Sequence, residues 1–270
     1  MLARLPRSRA LRCLDCLRPL STAFAPLDDP VGTAGDEEAP VRRDLAAAHT
    51  LSHHHGFDEL VWNHISARLD ESGAFLVTPG DLHFDEVRAA DLVRSSPQNV
   101  NVTSDVIHST IYKARPDVNA IVHHHTTAVV AVSALEGGIQ YLTQDSAAFY
   151  GRVAYHDWEG VSDDYDECAR IAEKVAGGAH TVIMRNHGAL TFGASVAEAW
   201  VRHYYLDRVC AVQVAAAGRP TVQPSAEVLE HAARQYGDCT TDGPFRHGKY
   251  EWAALLRQAE RLQANQPTMR

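Results

Sequence analysis

Three consecutive histidines, His123-His124-His125, follow the apolar run Ala120-Ile121-Val122. In an extended segment side chains alternate between faces. His123 and His125 then project from one side and His124 from the other, and two imidazoles at i and i+2 can converge on one ion. A third candidate is His187, between Asn186 and Gly188 at the end of another apolar run. A glycine next to a ligand lets the backbone turn sharply and come close. Three neutral imidazoles leave coordination positions open for water or substrate. Nitrogen donors suit Zn, Fe(II), Co, Ni or Mn, so the residue types alone do not name the metal. The bland alternative is a polar strand end and a loop histidine.

The elements that must carry these residues follow from periodicity and stop signals. Residues 118–125 read as a strand running into the triple histidine. Residues 181–185 and 189–192 read as short strands flanking Asn186-His187-Gly188. Residues 60–69 and 74–78 read as strands joined at a turn over 70–73. Helices are expected over 41–55, 105–115, 126–136, 225–235 and 249–264. Ser195-Val196-Ala197-Glu198 has the form of a capping box, opening a long helix to about Ala217 that Gly218 closes. Strands and helices are mixed, so the class is α/β or α+β, layered around one sheet. There is no internal repeat.

Of 270 residues, 45% are apolar and 22% charged, enough for a sizeable core. The formal net charge of −9 does not favour a nucleic-acid partner. No apolar run is long enough to cross a bilayer. Five cysteines without regular spacing argue for a reducing compartment, and Cys13-x-x-Cys16 stands alone and reads as incidental. Residues 1–40 differ from the rest: an arginine-rich start, then a Pro/Gly/acid linker. They are expected to be a disordered leader and linker, with the globular domain over 41–265. Localisation is expected to be cytoplasmic, or mitochondrial if the leader is a presequence in a eukaryote. His53, His54 and His55 are the densest other cluster. Consecutive helical residues do not share a face, so they read as helix-end cations and not as a chelate. His108 reads as a buried, hydrogen-bonded structural residue.

The segments Ala120 to Thr127 and Met184 to Leu190 resemble the class II aldolase/adducin family, in which H-x-H and a later N-H-G supply three metal-binding histidines. Asn63-His64-Ile65-Ser66-Ala67-Arg68, Ile107-His108-Ser109-Thr110-Ile111-Tyr112 before Arg115-Pro116, and Phe149-Tyr150-Gly151 agree in order and spacing. The resemblance spans about residues 41–260. It implies a three-layer α/β fold with a central, mostly antiparallel sheet flanked by helices. It also implies a homotetramer and one divalent ion per subunit on His123, His125 and His187. The catalytic carboxylate of the family matches Asp105, one methylene shorter than the usual Glu. Asp105 can serve as acid/base or metal partner, or merely favour the helix N-terminus. His64, Thr78, Ser104 and Tyr150 match substrate-contacting positions. Asp81 stands where the phosphate-binding pattern has a glycine and would repel a phosphate dianion. Thr103 and Ser104 could still bond a carboxylate or hydroxyl.

Within the family the pattern is similar to the bifunctional non-haem iron oxygenases of aminocoumarin antibiotic biosynthesis. That similarity implies Fe(II), with Zn(II) second, and O2 as co-substrate. The implied substrate is an aromatic 2-oxo acid, 4-hydroxy-3-prenylphenylpyruvate, decarboxylated oxidatively through a mandelate to the benzoate. Trp62, Phe84, Phe149, Tyr150 and Trp158 could line a pocket for it, or be plain core. Two alternatives stay open: a Zn or Mn aldolase, decarboxylase or epimerase acting on an unphosphorylated hydroxy-oxo acid, and a non-enzymatic adducin-like binding module.

Overall fold

The computed structural model describes residues 38–71, 73–95, 102–160 and 165–265. Most of the expected leader and linker, with Cys13 and Cys16, lies outside them. Seven strands form one sheet: β1 (His64–Arg68), β2 (Phe75–Val77), β3 (Val93–Arg94), β4 (Ala120–His124), β5 (Val153–His156), β6 (Thr181–Met184) and β7 (Gly188–Gly193). Their order is β3-β2-β1-β4-β7-β6-β5. Every pairing is antiparallel except β5 with β6. That one parallel pair is joined through a helix, as parallel neighbours require.

Helices cover both faces. α1 (Ala39–His54), α5 (Val196–Ala216) and α7 (Trp252–Ala264) pack with Ile65, Ala67, Ala120 and Val122 on one face. α2 (Val102–Ala114) and α4 (Tyr165–Ala176) pack with Ile121, Val182, Leu190 and Phe192 on the other. α3 (Thr127–Ser133) and a 3-10 turn at Asp145–Phe149 close the β6–β7 end, and α6 (Ala226–Tyr236) packs on that turn. β4 lies in the middle of the sheet and is buried along its whole length. A strand covered on both faces reads as a continuous apolar run. Its polar residues are therefore the ones that need an explanation.

The strand expected over 60–69 starts later, at His64, because residues 59–62 turn: Trp62 N–H donates to the Glu59 carbonyl at 3.0 Å and Leu60 has φ 52°. The helix expected over 126–136 stops at Ser133, where the chain turns into Gly138 at φ 63°. The long helix begins as expected. Ser195 Oγ accepts from Glu198 N–H at 3.2 Å. The return arm differs from a capping box, since Glu198 Oε2 accepts from Ala194 N–H at 2.8 Å and not from Ser195.

The five aromatics do not gather into one pocket. Phe84 and Phe149 are fully buried in separate core clusters. Trp62 and Trp158 are exposed, and Tyr150 stands edge-on to Tyr141 at 5.0 Å.

Candidate metal centre

β4 and the β6–β7 loop bring the three histidines together. His123 lies opposite Leu190 in the ladder, and His125 follows the last residue of β4. His187 stands in the three-residue loop between β6 and β7. His123 Nε2 is 2.8 Å from His125 Nε2 and 3.1 Å from His187 Nε2. One ligand atom from each of the three lies within 4.8 Å of the others. Nitrogens about 2.0–2.1 Å from a tetrahedral ion stand roughly 3.3 Å apart. The donor set therefore fits one divalent ion.

The remaining nitrogens set the tautomers. His123 Nδ1–H donates to the Ala189 carbonyl at 3.1 Å, and His125 Nδ1–H to Glu59 Oε2 at 2.7 Å. Each bond leaves Nε2 as the lone-pair nitrogen facing the centre. Burial, reinforced by the neighbouring histidines, holds His123 well below the usual imidazole range. His187 is pushed down to about 4 by burial and then by His125, with Glu59 opposing. Neutral rings are the form that binds metal.

The sharp turn before the site belongs to Asn186, at φ 59°, and not to Gly188 as the glycine suggests. Gly188 serves close approach instead: a Cβ there would meet the His124 carbonyl oxygen at 2.7 Å and the His125 ring at 2.8 Å.

The other expected site residues are placed as follows. His64 pairs across from His123, with ring centroids 4.7 Å apart. Asp105 sits in the first turn of α2, half-buried, where Ser95 Oγ donates to it at 2.5 Å; no hydrogen bond or ion pair joins it to the three histidines. Ser104 is buried one residue earlier. The Thr78 hydroxyl turns into the structure, bonding His49 Nε2 at 2.7 Å and Ile65 N–H at 2.8 Å, so it braces β1 and α1. Tyr150 is half-buried against Tyr141. His53 pairs with Asp58 at 2.8 Å, away from any chelate. His108 is buried and hydrogen-bonded as expected. Glu59 is the functional contact that sequence reasoning missed. It lies in a polar turn far from His125 in the chain, and no motif marks it.

Known proteins resemble this chain in sequence and fold. Residues 43–214 match the family model for the class II aldolase and adducin N-terminal domain. The chain belongs to the class II aldolase/adducin family. It is 34% identical to an aldolase II superfamily protein from Pseudomonas syringae, covering 85% of this chain and 95% of that one, with a TM-score of 0.76. An L-fuculose 1-phosphate aldolase from Glaciozyma antarctica shows 28% identity over 87% of this chain and 95% of its own, with a TM-score of 0.73. Rat alpha-adducin is 33% identical over 83% of this chain, a match that spans 34% of the adducin. Among the described residues no helix is long and apolar enough to cross a membrane.

Proposed function

We propose that this family member is a divalent-metal lyase of class II aldolase type, acting on a small hydroxy-oxo acid, with the ion held by His123, His125 and His187. The convergence of His125 Nε2 and His187 Nε2 on His123 Nε2, at 2.8 and 3.1 Å, carries this reading. A bound ion would polarise a substrate carbonyl and stabilise the enediolate left by carbon–carbon cleavage. The chain's own residues do the rest. Ala189 and Glu59 fix the ligand tautomers, and His64 stands beside His123 and is held by His108 of α2. Asp105 is assigned to proton transfer, and Ser104 and Tyr150 to substrate contact. Asp81, exposed on its loop, favours an unphosphorylated substrate. A homotetramer remains part of the proposal.

Zn(II) is favoured over the Fe(II) expected at first. Iron oxygenase sites of the facial-triad type join two histidines to a carboxylate. Here all three converging groups are imidazoles, and Glu59 is engaged on the outer nitrogen of His125. The similarity to an L-fuculose 1-phosphate aldolase also supports a lyase.

Metal analysis and turnover test the proposal. One zinc per chain is expected in the wild type, falling at least about tenfold in His123→Ala and His187→Ala with circular dichroism unchanged. Retro-aldol release of an aldehyde from a hydroxy-oxo acid should depend on that zinc. Iron at one per chain with O2 uptake on an arylpyruvate would restore the oxygenase reading. Metal-free protein throughout would leave a binding module.

A further inference from the structure

A cleft of about 680 Å3 opens between the 3-10 turn, α5, α6 and the segment leading into α7. None of the three converging histidines lines it. One wall is aromatic. The His247 ring stands 5.1 Å from Tyr205 at an angle of 15° and 5.3 Å from Tyr236 at 46°, centroid to centroid. Three separate segments supply these rings: Tyr205 lies on α5, Tyr236 ends α6, and His247 belongs to the loop before α7. Tyr250 adds a further, exposed ring to the lining.

The charged side chains of the lining have one sign. Asp145 opens the 3-10 turn and Glu251 directly precedes α7, and no Lys or Arg lines the cleft. Neither carboxylate is in an ion pair among the described residues. Glu251 makes no side-chain capping bond to α7; its Oε2 accepts from Tyr250 N–H at 3.2 Å. Both carboxylates bear on both phenols. Burial pushes the Tyr205 hydroxyl up, and Glu251 and Asp145 add to it. Burial raises Tyr236 as well, opposed by a hydrogen bond with Gln144 and reinforced by Asp145 and Glu251. His247 brings no charge, since burial pushes its ring down to about 3. His231, exposed on α6, is the other imidazole of the lining.

Packing alone does not account for this wall. His247 is 4% exposed, and its Nε2 has no hydrogen-bond partner among the described residues. An apolar ring would fill the same place without a stranded nitrogen. Aromatic faces are negative and attract a cation within about 6 Å of the ring centroid. Two carboxylates strengthen that attraction and repel anions. The described residues gather no set of three metal donors here, so the cleft is not a cage for a bare ion. A plain ammonium is strongly hydrated. An alkylated one has apolar surface to bury against the rings.

We propose that this cleft binds a small organic cation, an alkylated or quaternary ammonium, with its alkyl groups against Tyr205 and Tyr236 and its charge answered by Asp145 and Glu251. The charges favour a free small molecule as the source. A phosphate-bearing headgroup would set its own anion beside the two carboxylates. The cleft shares no residue with the three-histidine centre, so its ligand is independent of the metal.

Titration calorimetry with tetramethylammonium and with choline tests the proposal, at fixed ionic strength and at about pH 8, where an exposed histidine is uncharged. Saturable binding of one cation per chain is expected, with zinc and without it. The uncharged isostere of choline, 3,3-dimethylbutan-1-ol, should bind at least about tenfold more weakly. Asp145→Asn combined with Glu251→Gln should weaken tetramethylammonium by about 2–30-fold, and Tyr205→Leu should do the same. Tyr236→Phe keeps the ring and should stay within about twofold of wild type. Circular dichroism checks each variant, and the two carboxamide substitutions decide the matter if Tyr205→Leu does not fold. No saturation by tetramethylammonium, equal binding of the uncharged isostere, or unchanged affinity in the double carboxamide variant would overturn the proposal. Phosphocholine bound as tightly as choline would overturn the free cation as the source.

Discussion

Gly188 shows how little room the centre has. A methyl group at that position would press on the His124 backbone oxygen at 2.7 Å and on the His125 ring at 2.8 Å. A backbone atom in a central strand does not yield as a side-chain tip does. Gly188→Ala is therefore expected to lower zinc affinity by about 10–100-fold and stability by about 1–3 kcal/mol. Competition with a chromophoric chelator and urea unfolding would measure the two effects, and wild-type affinity in this variant would refute the packing argument. The histidines themselves were legible because alternation along a strand is a short-range rule that places His123 and His125 together. The site's supports were not. Glu59, the Ala189 carbonyl and the His64–His108 bond are long-range contacts between segments whose own patterns carry no trace of one another. The packing of Thr78 was hidden for the same reason: its hydroxyl bonds His49 on a helix distant in the chain.

At the scale of elements, α5 is held at its start by more than its serine cap. Buried Glu198 accepts from Arg202 at 2.6 Å, from Arg246 at 2.7 Å and from Ala194 N–H at 2.8 Å. Burial pushes its carboxyl up, but the two guanidinium groups outweigh that and hold it below its ordinary value. Removing the carboxylate strands Arg202, which is 1% exposed. Glu198→Ala should thus cost about 3–5 kcal/mol, against about 1 kcal/mol for Ser195→Ala. Thermal unfolding of the two variants would rank them, and equal losses would contradict the buried-pair account. The long helix and the histidine strand were visible in the sequence because capping and hydrophobic runs are local. β3 and β5 were not. β3 is two residues long, and β5 is a half-buried edge strand without alternation. α4 has an amphipathic pattern that its starting residues do not announce.

Across the whole molecule the histidine content sets the response to acid. Burial pushes His49 down to about 4, and His108, His203 and His247 down to about 3. In the unfolded chain each returns to about 6.5. Below that pH the unfolded state takes up protons that the folded state refuses, so the stability present above pH 6.5 is lost as pH falls toward the folded values. Between pH 7.5 and 5.5 each of these rings should remove about 1 kcal/mol. The urea midpoint should drop sharply in that interval, before carboxylates titrate. A flat profile would mean that these rings are not buried as neutral groups.

The placement of the three ligands also decides what losing the ion would do. β4 and β7 are already zipped by five ladder pairs, and His187 lies one residue before β7. An ion there ties together neighbours that the backbone has joined without it. It closes no long loop and brings the fold little extra cohesion, unlike the ions that small zinc domains need in order to fold. Chelator-treated protein should stay native by circular dichroism and recover on adding zinc back. The chain would thus behave as a rigid, refillable socket, its occupancy governed by whatever metal the surroundings supply.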